Sequence, residues 1–123
     1  MSYQITRETY GVYTAYCGFV TGAEFLESMF HNQNDPDFDR WRYSIKDFLQ
    51  VTGHSVGPAD IKTAAIHGLG AELINANIKI AIVAVDQGVR DLVTGFTALT
   101  HYPVRFFYTV AEARVWVEQD ACV

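Results

Sequence analysis

The chain has only two cysteines, three prolines and nine basic residues among its 123 positions, and it contains no long apolar run. Cys17 lies in a strand-like segment and Cys122 is the penultimate residue, too little for a disulfide framework. A reduced, cytoplasmic setting is therefore the expectation. The longest strongly apolar run, Ile80 to Val85, is far too short to span a bilayer. Met1 to Arg7 lacks the charged-then-apolar pattern of a secretory leader, so no transmembrane or targeting segment is expected. The basic residues Arg7, Arg40, Arg42, Lys46, Lys62, Lys79, Arg90, Arg105 and Arg114 are scattered, and the net charge is −5. No basic run is available to displace counterions from a phosphate backbone, which argues against nucleic acid as a partner. An anionic membrane surface is disfavoured for the same reason.

Apolar side chains are abundant. Half of the sequence is hydrophobic, with eight Phe, seven Tyr and two Trp, so one domain over 1–123 can bury a core without covalent staples. So large an aromatic load in a small domain leads us to expect a face covered by a partner, and a homodimer in particular.

The element order follows from periodicity and end signals. Tyr3 to Arg7 and Gly11 to Val20 read as strands joined by a turn at Glu8-Thr9-Tyr10, hence an antiparallel hairpin. Thr21-Gly22-Ala23-Glu24 has capping-box spacing and opens a helix with Phe25, Leu26, Met29 and Phe30 on its buried stripe. Arg42 to Leu49 predicts a third strand and Gly53 to Gly57 a loop. Pro58 suits the first turn of a second helix, with Ile61, Ala65, Leu69 and Leu73 as its inner stripe. Gly68 and Gly70 interrupt that helix. They mark either close packing, the favoured reading, or missing bulk beside a cavity. Ile78 to Val85 is apolar at nearly every residue, as a central parallel strand should be. Gln87 to Thr100 predicts a third helix with Val89, Leu92, Val93, Phe96 and Leu99 inward. Val104 to Tyr108 predicts a last strand. Thr109-Val110-Ala111-Glu112 caps a final helix presenting Ala113, Trp116 and Val117. The fold class is therefore α/β: ββαβαβαβα, a five-stranded mixed sheet with right-handed crossovers. Thr14, Ser44, Lys46 and Arg105 put polar atoms on alternate strand positions. From them we expect one mixed sheet face, open or paired with another subunit, and helices mainly on the other.

Most chemistries lack their residues. Asp35, Asp37 and Asp39 fit the first, third and fifth positions of a calcium loop. Arg40 and Lys46 then stand where that loop needs Gly and Glu, so a solvated turn is expected. Gly68-Leu69-Gly70 falls late in a helix rather than between a strand and a helix start, which excludes a phosphate loop. His31, His54, His67 and His101 have no ligand spacing, so neither a metal nor any other cofactor is expected. Asp47, His54, Ser55 and Asp86 gather at the carboxyl edge of the parallel strands, where α/β sheets generally bind ligands. A hydrolase using Ser55, His54 and Asp47 is a distant alternative, because Ser55 lacks a strand-to-helix elbow and an oxyanion hole. Binding is favoured over catalysis. The expected ligand site lies between the second and third helices, with Asp47, Phe48, His54, Ser55, Ile66, Asp86 and Phe96 nearby.

Several ordered stretches carry a resemblance. They are Tyr10 to Tyr13, Phe19 to Phe25, Arg42 to Phe48, Ile78 to Asp86, Tyr102 to Phe107 and Ala113 to Val117. Together they resemble the SpoIIAA-like family, small bacterial proteins grouped with STAS and Sec14/CRAL-TRIO-type domains. The resemblance implies a STAS-like fold without enzymatic activity, used to bind a protein partner or a small apolar ligand or lipid. In anti-sigma-factor antagonists a strand-ending Asp precedes an Asp-Ser-Ser-Gly whose serine is phosphorylated. Asp47 matches the first, whereas Thr52-Gly53-His54-Ser55-Val56-Gly57 contains no Asp-Ser pair, and no phosphoswitch is expected. A non-catalytic interaction or regulatory domain is the leading expectation, and a binder of a small apolar ligand or lipid the second.

Overall fold

A computed structural model describes residues 2–119; Cys122 lies outside the described residues. Five strands form one sheet in the order β1-β2-β3-β4-β5: β1 (Tyr3–Arg7), β2 (Gly11–Val20), β3 (Tyr43–His54), β4 (Lys79–Val83) and β5 (Val104–Phe107). β1 runs antiparallel to β2 and every other pairing is parallel. The helices are α1 (Gly22–Gln33), α2 (Pro58–Ile74), α3 (Gln87–Thr97) and α4 (Val110–Glu118). Thr21 Oγ1 accepts from the Glu24 amide at 3.1 Å, and Thr109 Oγ1 from the Glu112 amide at 3.2 Å, so both predicted caps form. The mixed sheet, the hairpin and the interior place of β4 are as expected.

The period-two alternation of the strands divides the core into two unequal layers. Val12, Tyr16, Phe48, Ile80 and Ile82 face α1, α2 and α3, where Phe25, Met29, Ile61, Val93 and Phe96 meet them. Tyr16 stacks on Phe48 with ring centroids 4.6 Å apart, a contact worth about 1 kcal/mol beyond its burial. On the opposite face Tyr43, Ile45, Ala81 and Val83 receive Ala113, Trp116 and Val117 of α4. Arg114 then ties α4 to the β1–β2 turn, donating to both carboxylate oxygens of Glu8 at 3.0 and 2.8 Å. This fork, joined by the Tyr43 hydroxyl, holds the Glu8 carboxyl below the usual carboxylate range.

Several expectations are corrected. β3 runs on to His54 rather than ending at Leu49. Beyond Asp47, which pairs with Val83 as the last contact with β4, it continues as a ribbon on β2 alone, through two register shifts. Gly18, at φ +68°, lies at the second shift, a backbone angle that L side chains rarely adopt. β4, α3 and β5 are each shorter at their ends than predicted. In α2 the buried stripe is Ile61, Ala64, Ala65, Gly68 and Ala71, while Leu69 and Leu73 face outward. The alanines turn inward because they let the helix lie close to its neighbours, whereas Gly68 leaves space. The polar strand positions do not share one face either. Thr14, Ser44 and Lys46 are buried beneath the three helices, and Arg105 alone is on the α4 side, against the Trp116 ring. The face expected to be open is thus covered by α4 over β3 to β5. Finally, Asp35 and Asp37 do not merely solvate a turn. Both carboxylates are held by Arg7, at 2.9 and 2.5 Å, which pins β1 to the segment after α1.

Candidate binding site

The predicted site residues fall into separate places. Asp47 is on the α4 face, where its carboxylate accepts from the Tyr13 hydroxyl and from the Leu49 amide at 2.9 Å. Phe48, its neighbour, points to the opposite face and reaches Phe96 across a small void that Ile61 and Val93 also line. His54 is the last residue of β3, not a loop residue, and its Nδ1 accepts from the Val56 amide at 3.1 Å. Ser55 Oγ accepts from the Gly22 amide at 3.3 Å. Asp86 caps α3, accepting from the Val89 amide at 3.0 Å, rather than ending β4. Ile66 is 58% exposed on the outer side of α2, away from Phe96.

Ser55, His54 and Asp47 are therefore committed to three different backbone amides, with Asp47 across the sheet from the helix layer. No hydrogen bond links them into a nucleophile, base and orienting group. Among the described residues, no group of three or more His, Cys, Asp or Glu side chains is placed to hold a metal ion. His67 packs edge-on against Phe30, and His101 Nδ1 lies 2.9 Å from a Glu72 oxygen.

The polar group that sequence reasoning put on an open or partner-covered sheet face, and not in the site, is Lys46. Its backbone pairs with Thr14 of β2 and Ile82 of β4 at the centre of the sheet, and its side chain is buried under α1 to α3 at 7% exposure. It makes no hydrogen bond or ion pair with any described residue. Desolvation alone pushes its ammonium down from 10.5 to about 8. Tyr102 is the other titratable side chain on this cavity; burial raises its phenol to about 12, and its hydroxyl donates to the Asn75 carbonyl at 2.6 Å. The acidic groups of the covering helices are engaged elsewhere: Glu24 with the Ser2 amide, Glu27 with Tyr3, Asp60 with the Gly57 amide, Glu72 with His101 and Asp91 with Gln87.

Lys46 lines a cavity of about 50 Å³, together with Asn32, Ser44, Met29, Gly68 and Phe96, and also borders the void beside Phe48. Asn32 is buried too. Its Nδ2 donates to Thr14 Oγ1 at 3.3 Å, while its Oδ1 has no partner. Gly68 settles the alternative left open by the sequence, since a Cβ there would meet nothing within 4 Å. The glycine leaves space instead of serving close packing. A second, open groove of about 490 Å³ separates α2 from α3, lined by Val56, Ile61, Lys62, Leu92, Gly95 and Leu99. It is apolar, as expected between these helices, and neither Ile66 nor Leu69 borders it.

Three parallel crossovers carrying helices onto one face, an antiparallel leading hairpin and a closing helix on the reverse define a SpoIIAA/STAS-like α/β fold. Two solved structures carry that assignment. One is an uncharacterised protein of the DUF3478 family with a SpoIIAA-like fold from Shewanella loihica PV-4. It matches at TM-score 0.59 and 18% identity, over 94% of this chain and 91% of that one. The other is the anti-sigma factor antagonist SpoIIAA in its unphosphorylated form, at TM-score 0.65 and 10% identity, over 95% and 98%. No protein-family profile matches the chain, and no curated protein matches it in sequence.

Proposed function

We propose that this chain is a non-catalytic protein-interaction domain that docks through the outer face of α2, with a second copy of itself as the first partner to test. The observation that carries the reading is the exposure of Ile66, Leu69, Leu73 and Ile74, at 58, 46, 91 and 63%. A helix that is apolar on both its inner and outer sides is normally covered on both. The outer residues are too large and too close together to be scattered surface hydrophobes. Support also comes from the SpoIIAA structure, whose protein is an antagonist of another protein factor. The dispersal of Ser55, His54 and Asp47 over separate partners agrees with a role in binding.

Sedimentation equilibrium at tens of micromolar tests this, using wild type and a Leu69→Asp/Leu73→Asp variant. The expected result is a wild-type mass of twice 13.8 kDa and a monomeric variant that keeps the folded circular-dichroism spectrum, because exposed positions contribute little to the fold. A wild-type monomer would remove the homodimer, and a variant still dimeric would remove α2 as the interface.

A further inference from the structure

We propose that the cavity under α1 and α2 is a binding site for a short-chain monocarboxylate, whose carboxylate pairs with the ammonium of Lys46. The inference is independent of the docking reading for α2.

A lysine side chain only 7% exposed and without an ion-pair partner is among the least favourable groups a core can hold, and an apolar residue of equal volume would pack there at no such cost. Nothing in the surrounding hydrogen bonds uses the ammonium: only the Lys46 backbone enters the sheet ladder, and the caps and the α4 ion pair close without its side chain. A lysine without an ion-pair partner beside a void is completed by an anion.

The chemistry of the walls narrows what that is. One positive charge and no second cation calls for a single negative charge, which disfavours phosphate or sulfate, whose oxygens need several donors. Met29, Phe96 and the methylene side of the cavity require an apolar body. The volume of about 50 Å³ holds roughly three or four waters by the usual packing of buried solvent, the size of a carboxylate with one or two carbons attached. A slightly longer tail has room beside Gly68, where no side chain intrudes. A short-chain carboxylic acid fits these terms; a full-length lipid does not.

The test uses butyrate as the probe, on the full chain at pH 7, with binding read by calorimetry and by the shift in thermal unfolding. Butyrate should bind saturably and raise the melting temperature, and n-butanol, of similar shape without charge, should bind at least tenfold more weakly. Lys46→Met keeps the volume, removes the charge and should lose butyrate binding at least tenfold. Gly68→Leu occupies the space beside the cavity and should weaken butyrate with the fold retained. Equal butyrate affinity in Lys46→Met and wild type would overturn the proposal. So would the absence of saturable binding to wild type, which would leave ordered water as the occupant.

Discussion

Replacing Lys46 by methionine removes one charge and very little volume, so its effect on stability isolates the cost of burying that charge. The ammonium titrates near 8 in the folded protein against an ordinary 10.5. At about 1.4 kcal/mol for each tenfold change in proton affinity, holding the lysine charged in the core at neutral pH costs about 3 kcal/mol. Lys46→Met should therefore be more stable than wild type by about that amount at pH 7, which corresponds to a rise of about 10 °C in melting temperature for a domain of this size. The sign of the pH dependence follows from the same shift. Above pH 8 the folded protein sheds the Lys46 proton while the unfolded chain keeps it until about pH 10.5. Wild-type stability should accordingly climb between pH 8 and 10, by at most about 1.4 kcal/mol per pH unit. Below pH 8 this contribution is flat. Urea unfolding of both proteins across pH 6.5 to 10 measures both effects. A Lys46→Met protein less stable than wild type would refute the reasoning, as would a variant showing the same alkaline rise.

Two substitutions probe the frame around the cavity. Gly11→Ala should destabilise by about 2 kcal/mol in urea unfolding, the usual cost of overpacking, because its Cβ would stand 2.4 Å from the Tyr43 carbonyl oxygen and push β2 from β3. Asn75→Ala should cost about 3 kcal/mol by the same measurement. Asn75 Nδ2 donates to the Phe38 and Trp41 carbonyls at 2.8 and 2.7 Å, and its Oδ1 accepts from the Asn77 amide at 2.9 Å. Those bonds fix the segment before β3 that walls one side of the cavity, so the variant should also show faster amide exchange at Trp41.

Much of the architecture was legible because local signals and tertiary packing agree. Thr21 and Thr109 announce helix starts that form, and the unbroken apolar run at β4 marks an interior strand with helices on both faces. The misread parts share one cause, a residue whose local preference is overridden by what lies against it. Gly53 reads as a breaker, but it sits in the ladder opposite Phe19, whose ring would meet an added Cβ at 3.3 Å. In α2, apolar residues occur at every helical phase, so spacing alone cannot choose between Leu69 and Leu73 and the smaller Ala64, Gly68 and Ala71. The choice is made by the tertiary packing of the helix, which spacing does not show. Lys46 is the strongest case. A lysine at an alternating strand position signals a solvated face, and only the topology, which lays three helices over that face, turns it into an interior charge.

That interior charge is what distinguishes this domain from a plain sheet-and-helix scaffold, and its titration can be followed directly. In protein labelled with ¹³C at lysine Cε, the Lys46 resonance should titrate near pH 8 in the free protein. Saturation with butyrate should move that midpoint upward by about one pH unit or more, because a paired carboxylate favours the charged form. A Lys46 midpoint near the ordinary 10.5 in the free protein would contradict its burial without a partner. A midpoint near 8 that butyrate leaves unmoved would contradict the carboxylate site.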